Sequence, residues 1–227
     1  GHTAENLARD HSISREEQEQ MALESHQKAS AAQENNQFNN EIIAIGDVSK
    51  DGCVRPETSL ESMSKLKPAF DKNGVVTAGT SSPLTDGAAA VIVCSEEYAK
   101  KNGLKIMAYI RGMAISGCDP KIMGIGPVLS SQKALKRAGI RLEDVDIIEM
   151  NEAFAAQSLA CVKELGIDMS KLNVHGGAIS LGHPLGASGA RITGKAASLL
   201  QETGKRYALS TMCVGGGQGC ATVLERA

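Results

Sequence analysis

Three short runs in the second half of the chain concentrate the residue types that acyl and proton chemistry needs. They are Asn151-Glu152-Ala153-Phe154-Ala155-Ala156-Gln157, a glycine-rich stretch over 176–189 centred on His183-Pro184, and Cys213-Val214-Gly215-Gly216-Gly217-Gln218-Gly219. An imidazole titrates near neutrality, so it can move a proton or donate to a developing oxyanion. A thiol, with an ordinary pKa of about 8.5, comes within reach of neutral pH when a neighbour stabilises its thiolate. Glycine-rich backbone approaches a ligand closely and aims amides at negative charge. Each run also has a plain structural reading: a loop histidine that packs or caps, an Asn151 that N-caps the helix behind it, a glycine turn. Three strand-end loops bearing an amide, an imidazole and a thiol favour one composite site over three separate accidents.

The elements that must position these groups follow from periodicity. From residue 106 the pattern predicts a strand to about 116, a helix over 130–138, a strand over 145–150, a helix over 152–164 and a short strand near 173–175. A helix after Gly189 carries Ile192, Ala196, Leu199 and Leu200 on one face and stops at Gly204, and strands over 206–213 and 219–225 close the chain. This βαβαβαββ order predicts an α/β fold, a mixed sheet covered by helices on both faces, with ligands beyond the strand C-terminal ends. The 152–164 helix is apolar nearly all round, which predicts burial in the middle of the molecule.

Upstream, residues 1–6 read as a turn, and Ser14 with Glu17 forms a capping box opening a helix to about Phe38. Strands are expected over 41–45 and 88–94, a helix over 60–66 stopped by Pro68, and a helix capped by Ser95 and ending at Gly103. The first third reads as a mostly helical excursion from a core. Arg55, Ser62 and Lys67 are its candidate ligand groups, with ordinary surface residues as the alternative. Ser82 lies in a small-residue turn, where it bonds either a ligand amide or its own backbone.

Composition narrows the classes. A net charge of −2, scattered basic residues and no tryptophan exclude nucleic acid as an expected partner. No apolar run is long enough to span a bilayer, so no membrane insertion is expected. Six cysteines without a CxxC pair or zinc-ligand spacing predict mostly buried thiols, no metal site and a reducing, cytoplasmic setting. An organelle address on a longer precursor would lie upstream of Gly1.

In order and spacing, NEAFAAQ, GGAISLGHPLGASGAR and CVGGGQGCA together resemble the thiolase family. Residues 1–6 resemble its G-x-TAEN turn and residues 76–89 its TAG-x-x-S…DGAA segment, so the likeness covers essentially the whole chain. Thiolases have two lobes of the same βαβαβαββ fold, with a loop excursion inserted in the first, and exchange acyl groups between coenzyme A and a nucleophilic cysteine. The resemblance implies that 1–82 is part of the loop excursion, 83–105 the tail of the first lobe and 106–227 the C-terminal lobe.

It further implies roles. His183 would activate the nucleophilic cysteine and donate to the thioester oxyanion, Cys213 would be the acid/base at the substrate α-carbon, Asn151 would orient an oxyanion-hole water, and Gly215 would polarise the acyl carbonyl. Ser82 and Phe154 would contact the coenzyme A arm, with Arg55 and Ser62 near its adenine end. Coenzyme A would be substrate, with no cofactor, and the parent would be a homo-oligomer, associated with the hydratase/dehydrogenase subunit of β-oxidation. The segments 80–87, 117–127 and 216–219 look most like degradative 3-ketoacyl-CoA thiolases. One departure stands out: the family's nucleophile lies in a Cys-x-Ser/Gly segment of the first lobe, and none of the six cysteines has that context. These 227 residues are therefore expected to be inactive alone. The alternatives are a non-catalytic coenzyme A-binding or assembly module, a biosynthetic acetoacetyl-CoA thiolase and, more remotely, a decarboxylating condensing enzyme.

Overall fold

The structure, a computed structural model, describes residues 1–227. Strands β1 (Ala108–Gly117), β2 (Ile147–Met150), β3 (Tyr207–Val214) and β4 (Gln218–Arg226) form one sheet in the order β1-β4-β3-β2. β2 and β3 are parallel, and the other two pairings are antiparallel. Because strand side chains alternate between faces, each strand supplies two cores. Ala114, Ile148, Met150, Leu209, Ala221 and Val223 pack on one face with Leu135 of α5 (Gly126–Ala138) and Ala155 and Cys161 of α6 (Ala155–Leu165). Ile147, Ala208 and Leu224 pack on the other with Ala196, Leu199 and Leu200 of α8 (Ser188–Thr203). The result is the expected mixed sheet with helices on both faces.

The first half wraps this unit. α1 (His2–Asp10) replaces the turn expected over 1–6, since Ala4, Leu7 and Ala8 all bury, and the Glu5 carboxylate accepts from the Val75 and Val76 N–H groups at 3.0 Å each. α2 (Arg15–Glu34) opens with the Ser14/Glu17 capping box and buries Gln18, Met21, Ala22, Ser25, Ala29 and Ala32 along one side. Arg15 ties down α3 (Leu60–Ser64) by donating to the carbonyls of Met63, Ser64 and Leu66 at 3.0, 3.1 and 2.7 Å. Ser95 caps α4 (Glu96–Lys101) as expected.

Three expected strands are not strands. Over 41–45 there is only an Ile45–Val48 bridge, and Ile43 and Ile45 are exposed, so no apolar face is buried to fix a ladder. Residues 88–94 carry no regular secondary structure and make no backbone hydrogen bond. Near 173–175 a single bridge, Leu172 to Ile148, is followed by Asn173 at φ +43, which turns the chain away. The Asn173 side chain then does what another strand residue would do, accepting from the Met150 N–H at 2.9 Å and donating to its carbonyl at 2.8 Å.

Two helices begin elsewhere than expected. α5 starts at Gly126, with Pro127 in its first turn, where a missing N–H costs nothing. α6 starts at Ala155 with Phe154 as its extended N-cap, so Asn151 does not cap it. The thiols are less buried than expected: Cys161 and Cys213 are buried, Cys53, Cys118 and Cys220 are half-buried, and Cys94 is exposed. No helix is long and apolar enough to cross a membrane.

Candidate active site

The ends of β2 and β3 form the base of the site. Met150 stands opposite Thr211, and the Asn151 N–H donates to the Thr211 carbonyl at 3.0 Å, so the chain leaves β2 beside the last residues of β3, Cys213 among them. α7 (Ala178–Leu181) and Gly182 lead into His183, and α8 follows. Freed from capping, the fully buried Asn151 places Nδ2 3.2 Å from His183 Nε2. On the other side of the ring, His183 Nδ1 lies 2.6 Å from Ser188 Oγ, which itself donates to the Pro184 carbonyl at 3.2 Å. When the Ser188 hydroxyl donates to Pro184 it accepts from the ring, an arrangement that puts the histidine proton on Nδ1 and leaves Nε2 as the base.

Electrostatics keep the titratable groups of the site neutral. Burial, and after it the charge of Arg191, holds the His183 pKa below the usual histidine value, so the ring is neutral at pH 7. Burial pushes the Cys213 thiol up to about 11, which keeps it protonated. The site thus offers a neutral imidazole and a neutral thiol, a base and a proton donor.

The loop that carries His183 is held from three directions. Thr85 Oγ1 accepts from the His183 N–H at 3.2 Å. That contact needs a glycine at 182, where φ is +95 and a Cβ would stand 2.5 Å from Thr85 Oγ1. Glu152, 3% exposed, accepts from Ser25 Oγ at 2.7 Å, Asn173 Nδ2 at 2.7 Å and the Ile179 N–H at 3.2 Å, pinning α2 and the start of α7 together. Across the site, the β3–β4 turn is set by Gly217, at φ +91, whose carbonyl accepts from the Cys118 N–H at 2.8 Å. Gly215 in the same turn is exposed, and its N–H has no acceptor within the chain.

Of the expected site residues, the structure joins Asn151 and His183 directly and sets Cys213 and Gly215 at the end of the strand beside Asn151. Ser82 and Phe154 come together around Ala153: the Ser82 N–H and Oγ both donate to the Ala153 carbonyl, at 3.1 and 3.0 Å, and Ser81 bridges Phe154. Arg55 and Ser62 are exposed and lie apart from this network. The Arg55 N–H donates to His26 Nδ1 at 3.2 Å, and Ser62 completes a capping box with Ser59 at the start of α3. Sequence reasoning missed Thr85, Ser188 and Asn173 as supports. Ser188 carried a signal, since it lies five residues beyond His183 at a helix start.

Family models for the thiolase N-terminal domain and the thiolase C-terminal domain match residues 1–97 and 104–226. The sequence is 54% identical over 239 aligned positions to the 3-ketoacyl-CoA thiolase of Vibrio parahaemolyticus, covering 100% of this chain and 61% of that protein. The structure is similar to human mitochondrial 3-ketoacyl-CoA thiolase in complex with CoA, with a TM-score of 0.96 and 50% identity, covering 99% of this chain and 58% of that one. It is also similar to the Bacillus anthracis acetyl-CoA acetyltransferase, with a TM-score of 0.95 and 45% identity, covering 100% of this chain and 60% of that one. The chain therefore spans about three fifths of the length of these relatives. With both domain models matched across nearly all of it, and a His–Asn pair built from two of the family's motifs, this chain belongs to the thiolase family.

Proposed function

We propose that this chain supplies the second-lobe half of the active site of a 3-ketoacyl-CoA thiolase, which cleaves a 3-ketoacyl-CoA with coenzyme A to acetyl-CoA and a shortened acyl-CoA. The observation that carries the reading is the Asn151–His183–Ser188 relay at the ends of β2 and β3. In this reading residues 1–82 are part of the loop excursion, 83–105 the tail of the first lobe and 106–227 the C-terminal lobe.

The chemistry divides between the lobes. His183 Nε2 takes the proton of a nucleophilic thiol provided by first-lobe sequence outside these residues. The resulting thiolate attacks the substrate C3 carbonyl, the C2–C3 bond breaks, and Cys213 protonates the C2 carbanion, releasing acetyl-CoA. The thiol of incoming coenzyme A then gives its proton to the Cys213 thiolate and attacks the acyl-enzyme, which releases the nucleophile as a thiolate that takes its proton back from His183. Asn151 orients a water at the oxyanion, and the unpaired Gly215 N–H polarises the acyl carbonyl. Preorganised donors of this kind are worth roughly 3–4 kcal/mol of barrier each.

Ser82 and Phe154 take the pantetheine arm, and Arg55 and Ser62 the adenine end. Coenzyme A is a substrate here, and no further cofactor enters the chemistry. The parent works as a homo-oligomer in a reducing cytoplasm, a setting that suits six unpaired thiols, and associates with the hydratase/dehydrogenase subunit of β-oxidation. The Bacillus anthracis likeness favours one second reading, acetoacetyl-CoA synthesis by the same residues run in reverse.

The test is thiolysis by the full-length parent. His183→Ala and Cys213→Ala are expected to lower kcat by about 10²-fold or more, while the 227-residue chain alone gives no turnover. Unchanged thiolysis in either variant overturns the assigned roles. Turnover by the chain alone overturns the division between lobes, and faster condensation than cleavage favours the second reading.

A further inference from the structure

His183 follows Gly182, whose φ of +95 lies in a region that glycine enters and leaves without strain. Upstream of that hinge Glu152 accepts from the Ile179 N–H at 3.2 Å, but a hold on the far side of a hinge does not fix the backbone beyond it. Beyond it, the His183 N–H finds one acceptor in the chain, Thr85 Oγ1 at 3.2 Å. Thr85 donates its own hydroxyl proton to the Pro83 carbonyl at 2.8 Å, so it turns a lone pair toward His183. The same segment then closes on the next residue of the loop, where a Cβ at Gly87 would stand 2.9 Å from Pro184 Cγ.

At its other end the segment is fastened to the loop that carries Asn151. Ser81 bridges Phe154, and the Ser82 N–H and Oγ both donate to the carbonyl of Ala153, at 3.1 and 3.0 Å. The chain from Ser82 to Thr85 reaches no more than about 11 Å even when fully extended, and the fixed φ of Pro83 stiffens it. Residues 81–87 therefore hold the two loops at a limited span, the span across which Asn151 Nδ2 and His183 Nε2 meet at 3.2 Å.

We propose that residues 81–87 are a strap across the site and that Thr85 is a positioning residue for His183: its hydroxyl arrests the Gly182 hinge and keeps the imidazole within reach of Asn151. The catalytic meaning of the strap rests on the reading of His183 as the working base. Proton transfer depends steeply on placement, and a displacement of about 1 Å costs on the order of 10²-fold in rate. Both functions of the Thr85 hydroxyl are taken up within the chain, by Pro83 and His183, so its loss should fall on kcat and not on KM.

The experiment compares Thr85→Val, Thr85→Ala and Thr85→Ser in the full-length parent, by steady-state thiolysis and by hydrogen exchange of the peptides covering His183, read by mass spectrometry. Valine keeps the shape of threonine without the acceptor, and serine keeps the acceptor without the methyl. Thr85→Val and Thr85→Ala are expected to lower kcat by about 10- to 100-fold, with KM little changed, and to lose protection at the His183 amide. Thr85→Ser is expected to retain both kcat and protection. Wild-type kcat and exchange in Thr85→Val or Thr85→Ala would overturn the proposal, as would a Thr85→Ser enzyme as slow as Thr85→Ala. A lower melting temperature with unchanged kcat would also overturn it, since a merely structural contact gives that result. If Thr85→Val does not fold, Thr85→Ala and Thr85→Ser, which differ only in the hydroxyl, decide alone. Unchanged thiolysis in His183→Ala would overturn the reading of His183 as the base, and the exchange difference alone would then decide whether the strap holds this loop.

Discussion

Residues 207–214 and 88–94 are alike in sequence and opposite in structure. Tyr-Ala-Leu-Ser-Thr-Met-Cys-Val becomes β3, paired on both sides and buried on both faces. Ala-Ala-Ala-Val-Ile-Val-Cys, at least as apolar and richer in β-branched residues, makes no backbone hydrogen bond, and Ile92 and Val93 are 81% and 71% exposed. A strand is therefore a property of its neighbours before it is a property of its residues. The difference should be large in energy. Leu209→Ala, at a fully buried position in the middle of β3, is expected to destabilise the chain by about 2–5 kcal/mol in urea unfolding. A loss below about 1 kcal/mol would mean that the paired sheet is not where the stability lies.

A second prediction sharpens the comparison at its boundary, where one side chain replaces a strand. Asn173 closes the end of β2 through both polar groups of Met150 and also donates to Glu152 at 2.7 Å. Asn173→Ala should cost about 2 kcal/mol, because it leaves buried partners unsatisfied. Asn173→Gly restores the ease of φ +43 but none of the hydrogen bonds, so the gap between the two variants measures the backbone share alone. Equal stability of wild type and both variants would show that the bridge at Leu172, and not the amide, holds this edge.

The same contrast explains what the sequence made legible. Elements that bury a face within this chain could be read from it: β1 to β4, α2 with its Ser14 box and the apolar face of α8. The composite site was legible too, because two of its three runs follow strands, β2 and β3, that pair in parallel and so end side by side. Capping stood as the alternative for Asn151 because Asn is a good capper. The helix begins only at Ala155, with Phe154 as its N-cap, which frees the Asn151 amide to reach His183. Asn173 was hidden because a left-handed residue inside a β-like run carries no periodicity. Thr85 was hidden for a different reason, since its role depends on a contact between segments distant in sequence.

The smallest expected effect is also the most discriminating. Ile92→Lys places a charge on an exposed, unpaired segment, and substitutions at such sites move stability by no more than about 0.5 kcal/mol. Amides 88–94 should likewise exchange with solvent at nearly unprotected rates while those of β3 and β4 exchange only on global opening. A loss comparable to that of Leu209→Ala would mean that 88–94 is packed in solution and would dissolve the contrast. In the full-length parent the proposed first lobe supplies the missing neighbours, and there the same lysine enters a sheet. Its cost should then rise to about 2 kcal/mol or more, the scale of an unpaired charge forced into a buried position. The difference between the two numbers, for one substitution in two lengths of one protein, measures what neighbouring strands contribute to making Ala-Ala-Ala-Val-Ile-Val-Cys a strand.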